Sequence, residues 1–425
     1  MCSFPETPAA KIFLTGGQTV LQQSKTTQLE GVPLPEYRRS MTSEIITVFK
    51  RRHEFTTSVS KMAKMFPEGE DVHPILIHFF GLGPAVPSGI LLDRKVLVGY
   101  PGHIYEYEIK KDSWIRVKKV VNIQNTMQHL TNECVLDDVY MPCISYSYPD
   151  SFPHFQRNQT HIKWLHFKRT VSNTTSIANA STRSTLKDKL KSYLLSPGHR
   201  QPGQHCLYEE ISCPNPLPLN IKAPTITNVG TNKVILVGGF TVTGLDASNR
   251  VFQGEFTENK KDVTWKELAP MEKKRCLHIA FKLRNNIYVA GGLVSADWQR
   301  QCSDAGQWHC SCEQYNLEEN KWSISRYRLP FPLVNASVSV SADKTFAVIT
   351  GGLSKNKCIR RYTRIVYKER VIAEADERIG KTIIFTEDKG FQLIDNSFED
   401  DVGGLREFIA GSKLGRMGHV SVTVE

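Results

Sequence analysis

Side chains able to do chemistry gather at one place in the chain: Cys302, His309, Cys310 and Cys312, with Asp297 shortly before them. Zinc takes four thiolate or imidazole ligands at tetrahedral corners, and these four residues nominally supply such a set. A Cys-x-Cys pair is poorly spaced for one tetrahedral centre, however, and the residues from Cys312 onward read as the start of a strand. The expectation is therefore loop cysteines without a metal; redox sensing by an exposed thiol is the other chemistry the set allows. Gly380-Lys381-Thr382 ends like a phosphate loop, but Ala375 stands where that loop's first glycine belongs. No Gly-x-Ser-x-Gly or His-Glu-x-x-His occurs. The residues point to no catalytic set and no cofactor, and leave binding as the chemistry to look for.

The composition fits that direction. At 425 residues, 40% apolar and 23% charged, the chain can bury a large core like an ordinary globular protein. Lys and Arg number 54 against 43 Asp and Glu, a formal charge of +11. The excess is scattered in short clusters such as Lys50-Arg51-Arg52 and Lys118-Lys119, which reads as a basic solvated surface rather than a nucleic-acid groove. No apolar run is long enough to cross a membrane, and residues 1–30 lack the pattern of a secretory signal. The expectation is a cytoplasmic protein with no membrane anchor, whose ten cysteines are reduced.

The elements that must position any binding residues are short strands in series. Lys274–His278 leads into Ile279-Ala280-Phe281, a turn at Arg284-Asn285-Asn286, then Ile287-Tyr288-Val289-Ala290 and Gly291-Gly292. After a long loop the unit closes with Cys312–Trp322. Short apolar runs divided by turn residues make an antiparallel meander. The unit recurs: Lys233–Val237 before Gly238-Gly239 with Trp265 later, Phe346–Thr350 before Gly351-Gly352, Lys95–Val98, and Lys11–Thr15 before Gly16-Gly17. A recurrence of roughly 40–60 residues with glycine and aromatic markers is the signature of propeller blades.

On Gly291-Gly292, Tyr315, Trp322, Arg275 and His278 the chain resembles the kelch-repeat family, closest to the propeller of kelch-like ubiquitin-ligase adaptors, without their BTB and BACK regions. The resemblance implies an all-β propeller of six blades, or seven, because second strands are expected at 11, 95, 139, 233, 286, 345 and 390. One propeller is expected over 1–425, with 150–205 an insertion, largely disordered and carrying one short basic helix near Leu186–Leu194. Gly415–Val424, with Arg416 and His419, supplies the first strand that the amino-terminal repeat lacks, so the ends are expected to pair and close the ring. Gly16, Gly17, Gly238, Gly239, Trp265, Arg275, His278, Gly291, Gly292, Tyr315, Trp322, Gly351, Gly352, Arg416 and His419 are read as structural.

What such adaptors bind, they bind with loops on one face. Carried onto this chain, the contact positions become Gln18, Phe240, Leu293 and Leu353 after the doublets, and Cys276 and Met417 beside the Arg that opens a repeat. They are mostly apolar, so a hydrophobic or mixed motif is expected, an acidic one being what such adaptors take elsewhere. Trp298, Arg300 and Trp308 lie on the long loop Val294–Cys310. Either they contact the partner, as Trp and Arg do at hot spots, or they cover the loop's own apolar underside. The implied role is substrate recognition for a cullin-3 ubiquitin ligase; actin binding comes second, and an oxidase or sugar-epimerase third.

Overall fold

In a computed structural model, the structure describes residues 7–15, 18–20, 27–29, 32–34, 37–39, 43–52, 54–62, 88–92, 95–100, 103–119, 128–130, 140–146, 160–168, 207–218, 221–241, 246–295, 308–352, 354, 381–398 and 419–425. Five four-stranded antiparallel sheets are built from strands consecutive in the chain. The Lys95 sheet runs Ser88–Leu92, Lys95–Tyr100, His103–Glu108 and Ser113–Lys119. The Tyr140 sheet runs Gln128–Leu130, Tyr140–Tyr146, Thr160–Lys168 and Leu207–Pro216. The Lys233 sheet comprises Thr225–Gly230, Lys233–Val237, Val251–Phe256 and Val263–Glu267. The Asn286 sheet comprises Ile279–Leu283, Asn286–Ala290, Ser311–Asn316 and Lys321–Arg328. The Phe346 sheet comprises Ser337–Val340, Phe346–Thr350, Thr382–Thr386 and Gly390–Ile394.

A sixth sheet, the closing sheet, joins both ends of the sequence. Val420–Thr423 pairs with Ala10–Thr15 in the register Ile12 to Thr423 and Thr15 to Val420. Ser43–Arg51 and Glu54–Lys61 follow outward. Asn396–Phe398 then adds a parallel strand on Thr57–Val59. The sheet has five strands, where the five regular sheets have four.

The core lies between sheets, and strand periodicity explains how. Side chains of successive strand residues point to opposite faces, so a strand between two neighbours must be apolar at every position. Ile235 and Val237 pack toward Ile287 and Val289 of the next sheet, whereas Val234 and Leu236 pack toward Ile162 and Trp164 of the preceding one. Tyr288 and Ala290 face Ala347, Ile349 and Phe385. Ile12 and Leu14 meet Phe346 and Val348, and Phe13 between them meets Val96, Tyr105 and Tyr107. The Lys95, closing, Phe346, Asn286, Lys233 and Tyr140 sheets thus stack face to face in that order. Each fully buried Val, Leu, Ile or Phe is worth about 1.5–3 kcal/mol.

Two expectations are corrected. Gly390–Ile394 is the fourth strand of the Phe346 sheet, paired along Thr382–Thr386, and not the second strand of a further blade; the seventh candidate falls away. The strand at 139 is a true second strand, Tyr140–Tyr146. Thr160–Lys168, placed within the insertion, is a sheet strand whose Trp164 is wholly buried. It carries no glycine doublet, so only the alternation of Ile162, Trp164 and His166 could have betrayed it. The basic helix expected near Leu186–Leu194 lies outside the described residues. Among the described residues, no helix is long and apolar enough to cross a membrane.

Candidate partner-binding face

The sheets are joined at one end by a repeated device. Gly238 and Gly239 hold φ of +59° and +94°, Gly291 and Gly292 +72° and +89°, in the left-handed region where only glycine is at ease. The incoming linker runs directly against them: Gly239 N–H donates to the Arg275 carbonyl at 2.9 Å and Gly292 N–H to that of Leu333 at 2.8 Å. A Cβ on Gly291 would stand 2.3 Å from the Leu333 oxygen. Two residues past each contact the linker turns through a left-handed residue, Leu277 at φ 54° and Asn335 at φ 53°.

Arg275 enters this joint and is fully buried. Its Nε and Nη2 donate to Glu313 Oε1 at 3.0 and 2.9 Å, Nη1 to the carbonyls of Gly291 and Ser311 at 2.7 and 3.1 Å, and Nη2 also to Ser311 Oγ at 2.7 Å. Glu313, equally buried, accepts the backbone N–H groups of Glu272 at 2.7 Å and Lys273 at 3.3 Å. Burying two charges is tolerable only when nearly every donor and acceptor is met, and here they are.

The same two positions in the neighbouring joint are Leu333 and Ile383. Leu333 makes the glycine contact that Arg275 makes, and Ile383 pairs with Ile349 as Glu313 pairs with Val289, each opposite the residue two before a doublet. Both are buried in one apolar cluster. Leu236 faces Phe252 at this register, and Ile221, two residues before the left-handed Ala223, stands in the linker position; Ile221 and Phe252 are buried. In the closing sheet the position opposite Leu14 is Glu44, buried like Glu313. Polar matches polar and apolar matches apolar at each joint fully described.

His278 lies between the Gly238 and Gly292 doublets, its Nε2 2.9 Å from Thr225 Oγ1. Burial, with the Arg275 charge adding to it, pushes the imidazole down to about 3. His419 repeats the arrangement with Thr350 Oγ1 at 2.8 Å. His309, half-buried, sets Nε2 3.1 Å from the Lys274 carbonyl, and burial and the same guanidinium push it down to about 4.

Above the joints the loops tie themselves together. Single bridges link Phe240 to Ala247, Asp246 to Ser295, Ser248 to Arg275, Cys276 to Leu293 and Leu293 to Trp308, and Ile221–Lys222 pairs with Phe240–Thr241. Beneath this backbone platform Phe240, Ala247, Cys276, Leu293, Trp308 and Val334 form a packed apolar plug. Four residues expected to present an apolar surface to a partner, Phe240, Cys276, Leu293 and Trp308, are therefore buried at 6% exposure or less. The physical reason is that backbone bridges past two doublets bring Phe240, Cys276, Leu293 and Trp308 together into one apolar cluster. Trp308 packs into this plug. Among the described residues, the platform presents polar side chains outward: exposed Asp246 and Lys274, with Thr241, Ser248 and His309 part-buried. Gln18 begins a short strand paired with Tyr37–Arg39. Trp298, Arg300, Leu353 and Met417 lie outside the described residues.

The remaining motif residues have defined places. Tyr315 and Trp322 face each other across two strands with rings 5.0 Å apart, and the Trp322 indole donates to the Ala269 carbonyl at 2.8 Å. Trp265 lies over Gly254, where a Cβ would stand 2.7 Å from its ring. Gly352 is held at φ +94° against Leu333 and Ala336, and Gly351 precedes it at +61°. Gly16, Gly17 and Arg416 lie outside the described residues. Of the cysteines, Cys276 and Cys312 are buried and their thiols are pushed up to about 12 by desolvation, which removes the reactive thiolate. Cys312 sits in a strand and His309 turns to the linker, while Cys302 lies outside the described residues. Sequence reasoning missed Glu313; an acidic residue inside a strand buried on both faces was the signal.

A family model described as the kelch motif matches residues 275–325. No curated protein matches the chain. Among solved structures, one titled "Structure of YjhT" aligns over 92% of this chain and 99% of its own, at 12% identity and a TM-score of 0.44. The kelch motif at 275–325, with sheets stacked face to face and the two ends of the chain paired, supports an all-β propeller built on kelch repeats.

Proposed function

We propose that this propeller is a non-enzymatic protein-interaction module and serves as the substrate-recognition part of a cullin-3 ubiquitin-ligase assembly. The closing sheet is taken as the sixth blade, since its four antiparallel strands keep the inner-to-outer order of the others. The observation that carries the binding role is the platform: three chain segments bridged backbone to backbone over a filled apolar plug. Such a surface is rigid before a partner arrives, so little ordering entropy opposes association. Its outward residues are polar and of both signs, so the partner motif recognised is mixed rather than hydrophobic.

The test replaces exposed Asp246 by Lys and exposed Lys274 by Glu together, neither of them in the core. Wild type and the double variant are used as bait in cells, with unchanged melting temperature as the control for folding. The expected result is loss of a partner and of its ubiquitylation in the variant, with cullin-3 among the proteins recovered by wild type. Equal recovery by both proteins would overturn the platform assignment. Recovery of actin filaments in place of a ligase scaffold would move the function to the cytoskeleton.

A further inference from the structure

Lys321–Arg328 is the outermost strand of the Asn286 sheet, and among the described residues no strand pairs with its outer side. It has eight residues, against ten in the outer strand Leu207–Pro216 and five in Val263–Glu267 and Gly390–Ile394, and its register shifts between Ile324 and Arg328. An open edge offers a row of backbone donors and acceptors to any extended chain. Two features give this edge a preference. Ile324 is 56% exposed, more than any other large apolar side chain among the described residues. The exposed charges along the strand, Lys321, Arg326 and Arg328, are all cationic, and the strand holds no acidic residue.

Cations on an edge ordinarily guard against self-pairing, because two copies of this strand would bring like charges together. A guard needs no exposed isoleucine, and the charges that repel a second copy attract an acidic strand. The molecule also contains a strand addition of this kind. Asn396–Phe398 pairs on the outer edge of the closing sheet.

We propose that Lys321–Arg328 is a second interaction surface, which takes an extended acidic segment of a partner protein, with apolar residues alternating among the acids, by strand addition. Backbone pairing supplies the common affinity, Ile324 an apolar contact on one face of the strand, and Lys321 on the other face a partner for acidic side chains, with Arg326 and Arg328 adding positive charge along the edge.

The probe is a fluorescein-labelled eight-residue peptide of alternating Val and Glu, its binding read by anisotropy. Alternating Val and Lys, and the Val-Glu peptide with a central proline, serve as controls. The acidic peptide is expected to bind, and to bind at least tenfold more weakly to the Ile324→Asp, Lys321→Glu variant, whose changes are on exposed side chains. Binding is also expected to weaken in 0.5 M salt (roughly a threefold shorter screening length than at low salt) and to be lost with proline. The Asp246→Lys, Lys274→Glu variant should bind the peptide as wild type does, which separates this surface from the platform. Absence of binding, or equal binding by the Ile324 variant and wild type, would overturn the proposal.

Discussion

With Nε, Nη1 and Nη2 all engaged, the Arg275 guanidinium has almost no hydrogen-bonding capacity left for a ligand, and the consequence is one of stability. Glu313→Ala leaves a cation buried among carbonyls and is expected to cost about 3–5 kcal/mol in chemical denaturation, as removal of one partner of a buried pair does. The pairing of Leu333 with Ile383 at the same positions makes a sharper prediction. The double change Arg275→Leu, Glu313→Ile should recover more than half of that loss, the remainder reflecting the Glu272 and Lys273 N–H groups that lose their acceptor. A double variant no more stable than Glu313→Ala would show the joints are not interchangeable. His278 adds a pH dependence. Its folded-state value, about 3, lies below the ordinary imidazole value of roughly 6.5, so its contribution is fully present above the latter and is lost as pH falls toward the former. The slope is about 1.4 kcal/mol per pH unit within that window. His278→Asn should flatten the fall in stability between roughly pH 6 and 4, read from denaturation midpoints.

At the scale of elements, the doublets and the edge strand govern. Gly291→Ala combines a φ of +72° with a Cβ 2.3 Å from a carbonyl oxygen and should lower the melting temperature by several degrees, about 1 kcal/mol or more. The Asn396 side chain stitches two sheets, its Oδ1 accepting from Thr57 and Thr382 hydroxyls at 2.8 Å each. Asn396→Ala should cost about 1–2 kcal/mol, and an unchanged midpoint would show the added strand does not hold the sheets together. The second strands were legible in sequence because both faces are buried, so each reads as an unbroken run such as Val234-Ile235-Leu236-Val237. Thr160–Lys168 was not, because His161, Lys163, His166 and Lys168 break up its apolar residues and no glycine doublet marks it. The face was legible as a location but not as a surface. Local spacing places Phe240, Cys276, Leu293 and Trp308 at the right end of the sheets, yet whether a loop folds over its own apolar side chains depends on bridges between residues as distant as Asp246 and Ser295.

At the scale of the whole molecule, each sheet packs on its neighbours only, and what turns a stack into a ring is the pairing of Val420–Thr423 on Ala10–Thr15. Removing the last ten residues should lower the melting temperature sharply and promote aggregation through the uncovered Ala10–Thr15 edge; a truncated protein melting no lower than the full chain would refute the closure. The same pairing has a kinetic side. The closing strand belongs to the same chain, so its pairing is intramolecular, with an effective concentration on the order of millimolar. A free peptide of the sequence His419–Glu425, added at millimolar concentration to the truncated protein, should therefore compete for the vacant edge on nearly equal terms and restore part of the lost melting temperature. The ring can then be opened and shut by titration, with its last strand acting as a soluble reagent.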